Sequence, residues 1–134
     1  MTKSPNRVIG LIFGVIYIVI GLVGFTATTG VGFFATNGGL LLGLFEVNLA
    51  HNLAHLAIGV VLFIAALVGP RISALANAAV GAFYLVLGIA GLFLVDSQFN
   101  FLALNVADNV LHFASAAVLL AVGLGALKPA PKAA

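Results

Sequence analysis

Four stretches of this chain, 8–25, 49–68, 72–95 and 106–127, contain no Lys, Arg or Glu and only one Asp, Asp108. At about 1.5 Å per residue, helices of these lengths reach about 27 to 36 Å, against about 30 Å of bilayer hydrocarbon. The pattern predicts four membrane crossings. Composition closes the alternatives: 63% of the residues are hydrophobic and 6% are charged. A water-soluble domain of this size would still expose roughly a third of its unfolded surface, and so few charges could not keep it wetted. The apolar runs argue against disorder, and the lack of cysteine removes a disulfide scaffold, a zinc–thiolate protein and a thiol enzyme. The strands of a membrane barrel would show about 10 residues of alternating polarity, which these runs do not contain. A net charge of +2 is too slight to point to nucleic acid.

Punctuation and charge then give topology. Gly69-Pro70-Arg71 supplies a helix stop and a residue unable to continue the backbone ladder, which predicts a very tight turn between the second and third helices. The first connection, 26–48, is long and holds Asn37-Gly38-Gly39, while the third, 96–105, is short. Their apolar pieces, 40–45 and 99–102, are expected at the membrane interface or packed over the end of the bundle. Lys3, Arg7, Arg71, Lys128 and Lys132 all fall on one side, and the two opposite connections carry only Glu46 and Asp96. The positive-inside rule makes both termini cytoplasmic. The basic start followed by an apolar run looks like a secretory signal, but no A-x-A-like cleavage site follows it.

The chain also repeats itself. Gly14, Tyr17, Gly21 and Gly24 recur 67 residues later as Gly81, Tyr84, Gly88 and Gly91. Asn48, Ala50, Asn52, His55 and Ala57 recur 57 residues later as Asn105, Ala107, Asn109, His112 and Ala114. The expected fold is an all-α integral membrane four-helix bundle in one transmembrane domain, 1–134. It is built from two tandem helical-hairpin repeats, 7–69 and 71–127, in parallel orientation about an axis along the membrane normal. The first helix has a counterpart inside the fold and is therefore expected to be retained. The glycines and tyrosine of each odd-numbered helix fall within about 80° of arc. Small residues along one stripe let helices approach closely inside the bundle, with a dimer face through Gly10-x-x-x-Gly14 as the alternative.

The even-numbered helices share the pattern N-x-x-[HD]-N-x-x-H. Asn48, His51, Asn52 and His55 occupy about 100° of one helix, and Asn105, Asp108, Asn109 and His112 the same arc of the other. Such groups within a span face inward and are paired. Where one copy has His51 the other has Asp108, so a His51–Asp108 contact across the axis is expected, with Tyr17 and Tyr84 within reach of His55 and His112. The plainest reading is a satisfied polar core that fixes the bundle. A sharper one is a metal centre, since His51, His55, Asp108 and His112 form an acceptable tetrahedral zinc set. Haem between His55 and His112 lacks a legible pocket, and a proton- or ion-handling site lacks a relay to the cytoplasm beyond the two tyrosines. Asp108, His112 and Ser115 lie along one helix, where attack geometry is rarely achieved, and no oxyanion donor is identifiable, so no enzyme is expected.

The paired runs Asn48-Leu49-Ala50-His51-Asn52-Leu53-Ala54-His55 and Asn105-Val106-Ala107-Asp108-Asn109-Val110-Leu111-His112 resemble a group of small actinobacterial membrane proteins known as a domain of unknown function. The resemblance runs from about Arg7 to Leu127. It implies four crossings of a bacterial plasma membrane and brings no activity. The expectation is a non-catalytic accessory or structural membrane component, in contact with lipid and with itself or a membrane-complex partner. The alternative is a metal- or cofactor-binding protein using the same cluster.

Overall fold

The computed structural model describes residues 4–127. Lys3, Lys128 and Lys132, three of the cations on which the orientation rests, lie outside the described residues. The fold is all-α: α1 (Pro5–Ala27), α2 (Leu49–Val68), α3 (Pro70–Leu94) and α4 (Val106–Leu127) are joined by one short turn and two longer connections. All four helices are long and apolar enough to cross a membrane. Large aliphatic and aromatic side chains, among them Ile12, Leu22, Val61, Val86 and Val110, stand exposed on the outside of the bundle. A fold in water would bury such groups; here they fit contact with lipid.

The helix ends differ from expectation by a few residues. Pro5 and Pro70 each open a helix rather than preceding one, because the missing N–H falls where the helix has no partner for it. Only Gly69 separates α2 from α3. The first connection holds a β-hairpin that the apolar run 40–45 does not announce. Its strands, β1 (Gly39–Leu41) and β2 (Phe45–Val47), pair antiparallel with Leu40 opposite Glu46. Its loop has three residues, 42–44: Leu42 and Gly43 both have positive φ, and the Leu44 amide donates to Leu41 O at 3.1 Å. Leu41 and Val47 turn inward and are almost fully buried, whereas Leu40, Leu42 and Leu44 point away. The hairpin lies over the end of the bundle, one of the two placements expected for that run.

Glycines decide how closely the helices pack. A Cβ on Gly14 would stand 2.8 Å from the Phe63 nitrogen, and one on Gly81 2.8 Å from the Leu120 nitrogen. Gly21 lies against Leu56 and Gly88 against Phe113; Gly24 faces the Asn52 amide and Gly91 that of Asn109. The stripe thus joins α1 to α2 and α3 to α4. Gly10, offered with Gly14 as a dimer face, faces Ser73, Ala66 and Asn77 inside the bundle, and both glycines are buried. That alternative is corrected: no outward Gly10-x-x-x-Gly14 surface exists.

At the opposite end from the β-hairpin, Asn6 ties three helices. Its carbonyl oxygen accepts from Ser73 Oγ (2.7 Å) and Asn77 Nδ2 (3.0 Å), and its own amide donates to Val122 O (3.0 Å). Arg7 donates to Ala66 O and Leu67 O, where a cation meets the unpaired carbonyls of the last turn of α2.

Candidate functional site

Asn48 and Asn105 stand immediately before α2 and α4, and their position sets their work. Asn48 Oδ1 accepts from the His51 amide (2.9 Å) and Asn105 Oδ1 from the Asp108 amide (2.9 Å). Both are helix N-caps. Asp108 completes the second cap, since its Oδ2 accepts from the Asn105 amide at 3.0 Å, a reciprocal capping pair. The same oxygen accepts from the Glu46 amide of β2 at 3.2 Å.

This arrangement corrects the expected His51–Asp108 contact. Both hydrogen bonds that Asp108 accepts come from backbone, and His51 Nδ1 has no partner. The physical reason is local. At the third position of a helix a carboxylate lies beside the unpaired amide of its own N-cap, and that donor, with the Glu46 amide of β2, takes the carboxylate in place of an imidazole from another helix.

The two cap amides reach beyond their helices. Asn48 Nδ2 donates to Ala35 O (2.9 Å) in the first connection and to Phe101 O (2.8 Å) in the third. Asn105 Nδ2 donates to Leu44 O (2.8 Å), back in the first connection. Each cap therefore holds a loop from the other half of the chain. One turn further in, Asn52 Nδ2 donates to Thr28 Oγ1 (3.3 Å), while Asn109 packs against Gly91 with its Oδ1 unpaired.

Deeper still, five rings close a cycle. His51 and His55 stand 4.4 Å apart between centroids; His55 stacks on Tyr17 (5.5 Å), Tyr17 on Tyr84 (5.3 Å), and Tyr84 on His112 (5.3 Å); His112 returns to His51 at 6.1 Å. The tyrosines and histidines expected near one another thus meet as stacked pairs, at interplanar angles of 26° and 25°. His51, His55 and His112 are 2%, 8% and 3% exposed, and one ring nitrogen from each lies within 4.8 Å of the others. A cavity of about 30 Å³ opens beside them, lined by Asp108, His55, His112 and Tyr17 and closed above by Leu41, Phe45 and Val47 of the β-hairpin. It is large enough for one or two waters and far too small for a porphyrin, so haem does not fit between His55 and His112.

Two contributors escape the repeat pattern. Ser115 Oγ lies 2.6 Å from Tyr17 OH, joining α4 to α1. Its counterpart in the first half is Ile58, so only its polarity on a buried face could have marked it. Asn100 folds the third connection by donating to Leu104 O and accepting from the Leu104 amide, both at 2.8 Å.

A family model described as a domain of unknown function (DUF4383) matches residues 7–125. No curated protein and no solved structure matches the chain.

Proposed function

We propose, for a chain that belongs to the DUF4383 family of unknown function, a non-catalytic role as a structural or accessory component of a bacterial plasma membrane. The observation that carries this reading is where the polar groups of the Asn48 end point. Asn48, Asn105 and Asp108 hold backbone of the helix starts and loops, and Tyr17 holds Ser115 across two helices. Two groups that could act on a substrate, Ser115 and Asp108, are already engaged. Ser115 faces Tyr17, and the Asp108 carboxylate faces two backbone amides, so Asp108, His112 and Ser115 form no relay. The exposed, uncharged cluster of Phe33, Phe34 and Phe101 at that end of the bundle supports association with a second copy or a membrane partner.

The tandem duplication and its parallel orientation belong to the same proposal. Gly14–Phe63, Gly21–Leu56 and Gly24–Asn52 map by the two sequence offsets onto Gly81–Leu120, Gly88–Phe113 and Gly91–Asn109. Asn6 touches its own counterpart Ser73, and Tyr17 stacks on its counterpart Tyr84. Self-matching contacts at two depths support an axis running between α1 and α3.

A double-mutant cycle tests the structural role. Tyr17→Phe and Ser115→Ala are each expected to cost about 1 kcal/mol of stability in detergent, and the double variant little more than either alone. Additive losses, or none, would remove the Tyr17–Ser115 tie from the argument. Orientation is tested separately, because the chain is free of cysteine. Gln98→Cys is expected to react with an impermeant maleimide on intact cells, and Ser4→Cys only after permeabilisation. The reverse pattern would invert the topology.

A further inference from the structure

We infer that His51, His55 and His112, closed by Asp108, form a binding site for a single divalent transition-metal ion of the zinc class. His51 and His55 are one helical turn apart on α2, so their side chains share a face, and His112 enters from α4 against them. One nitrogen from each lies within 4.8 Å of the other two. With Zn–N of about 2.0 Å, the nitrogens of a tetrahedral site stand about 3.3 Å apart. Imidazole rotation closing the cluster by about 1.5 Å therefore reaches that geometry.

The hydrogen bonding of the three rings points the same way. The Nδ1 atoms of His51, His55 and His112 are all buried and all without a partner. A histidine kept for packing alone normally satisfies its buried nitrogens, and three partnerless nitrogens on three neighbouring rings are costly for a purely structural core. A cation bound there turns that cost into ligation.

Asp108 stands outside the group of three nitrogens and would close on the ion as the fourth ligand, supplying part of the charge balance. Asp108 lines the same small cavity as His55 and His112, and both hydrogen bonds it accepts fall on Oδ2, so Oδ1 is the oxygen it can turn toward an ion there. The Asn105 and Glu46 amides hold the carboxylate in place, the kind of outer support that metal-binding carboxylates have. Three imidazoles with a carboxylate as the fourth donor make a four-coordinate set that zinc accepts, and a fourth protein ligand would leave no open position for a substrate. The ion would enter past the β-hairpin, whose Leu41, Phe45 and Val47 cover the cavity. This centre does not depend on the accessory role argued above.

The test is a cobalt titration of the full-length chain, purified in detergent without a histidine tag and stripped with chelator. Cobalt(II) is expected to give the intense visible bands of a tetrahedral site, saturating at one ion per chain and bleached by zinc. Asp108→Asn is expected to weaken binding by about 10-fold or more, and His112→Ala to abolish the saturable band. The parent chain decides the matter without any variant, since absence of a saturable tetrahedral band overturns the proposal. So does an undiminished band in His112→Ala with the helical circular dichroism of the parent. If His112→Ala does not fold, His51→Asn serves as the ligand deletion with the same two readings.

Discussion

Gly14→Val is expected to push α1 off α2 and to cost about 3 kcal/mol or more, enough to deplete the folded protein from the membrane. A Cβ at this position would stand 2.8 Å from the Phe63 nitrogen and 3.0 Å from both Gly59 O and Phe63 Cα. All three atoms are backbone, so no rotamer change relieves the overlap, and the helices must separate along their length. In lipid that separation is especially harmful. Apolar surface gains nothing by leaving the hydrocarbon, and helix association rests on close packing and interhelical hydrogen bonds. Gly81→Val, against the Leu120 nitrogen at 2.8 Å, is expected to cost as much. Gly125→Val is the control, because nothing lies within 4 Å of its added carbon. Membrane yield and thermal denaturation in detergent of the three variants check the ranking. A Gly14→Val protein as stable as Gly125→Val would mean that α1 and α2 do not touch through this stripe.

The same glycines explain why so much of the fold was legible in the sequence. A span that must satisfy its backbone internally has one choice, the helix, so an uncharged run of sufficient length already fixes the element. The recurrence of Gly14, Tyr17, Gly21 and Gly24 one hairpin later then marks the inward face of each odd helix, and all four side-chain positions are buried. The β-hairpin was not legible. Strands of three residues are too short to display alternation, and its turn uses Leu42 in a left-handed conformation that leucine does not signal. At the site, the motif names the residues but misleads about the roles of two of them. Asn48 and Asn105 look like members of a polar cluster, yet an asparagine immediately before an apolar run is first a helix start. Read as caps, they make Asp108, the third residue of α4, the capping partner of Asn105 and remove it as a partner for His51. Asn6, Ser73 and Asn77 converge from α1 and α3; Asn6 and Ser73 stand at the repeat offset but differ in residue type, so no shared motif marks them.

Asn48→Ser is expected to cost about 2 to 3 kcal/mol, and Asn105→Ser about 1 kcal/mol or less. Serine keeps the capping oxygen at both sites, so the cap contribution is largely preserved and the difference isolates the amide NH₂. At Asn48 that group donates at 2.9 Å to Ala35 O and 2.8 Å to Phe101 O, and the side chain is 0% exposed. Its loss strands two carbonyl oxygens where water does not readily follow. At Asn105 the single donation to Leu44 O is solvent-exposed, so water replaces it at little cost. The position of the Asn48 contacts adds a second readout. Phe101 belongs to the connection between α3 and α4, while Asn48 belongs to the start of α2, so the bond spans the two halves of the chain. Hydrogen exchange in Asn48→Ser is therefore expected to rise in the 96–105 connection, which is 48 or more residues away in sequence, as well as near Ala35. Faster exchange confined to the first connection, or a larger stability loss in Asn105→Ser, would show that Asn48 caps its own helix without latching the far loop. The latch matters for the site because the β-hairpin of the first connection roofs the cavity beside His55 and His112. A roof held by exchanged caps stays closed only while both halves are docked.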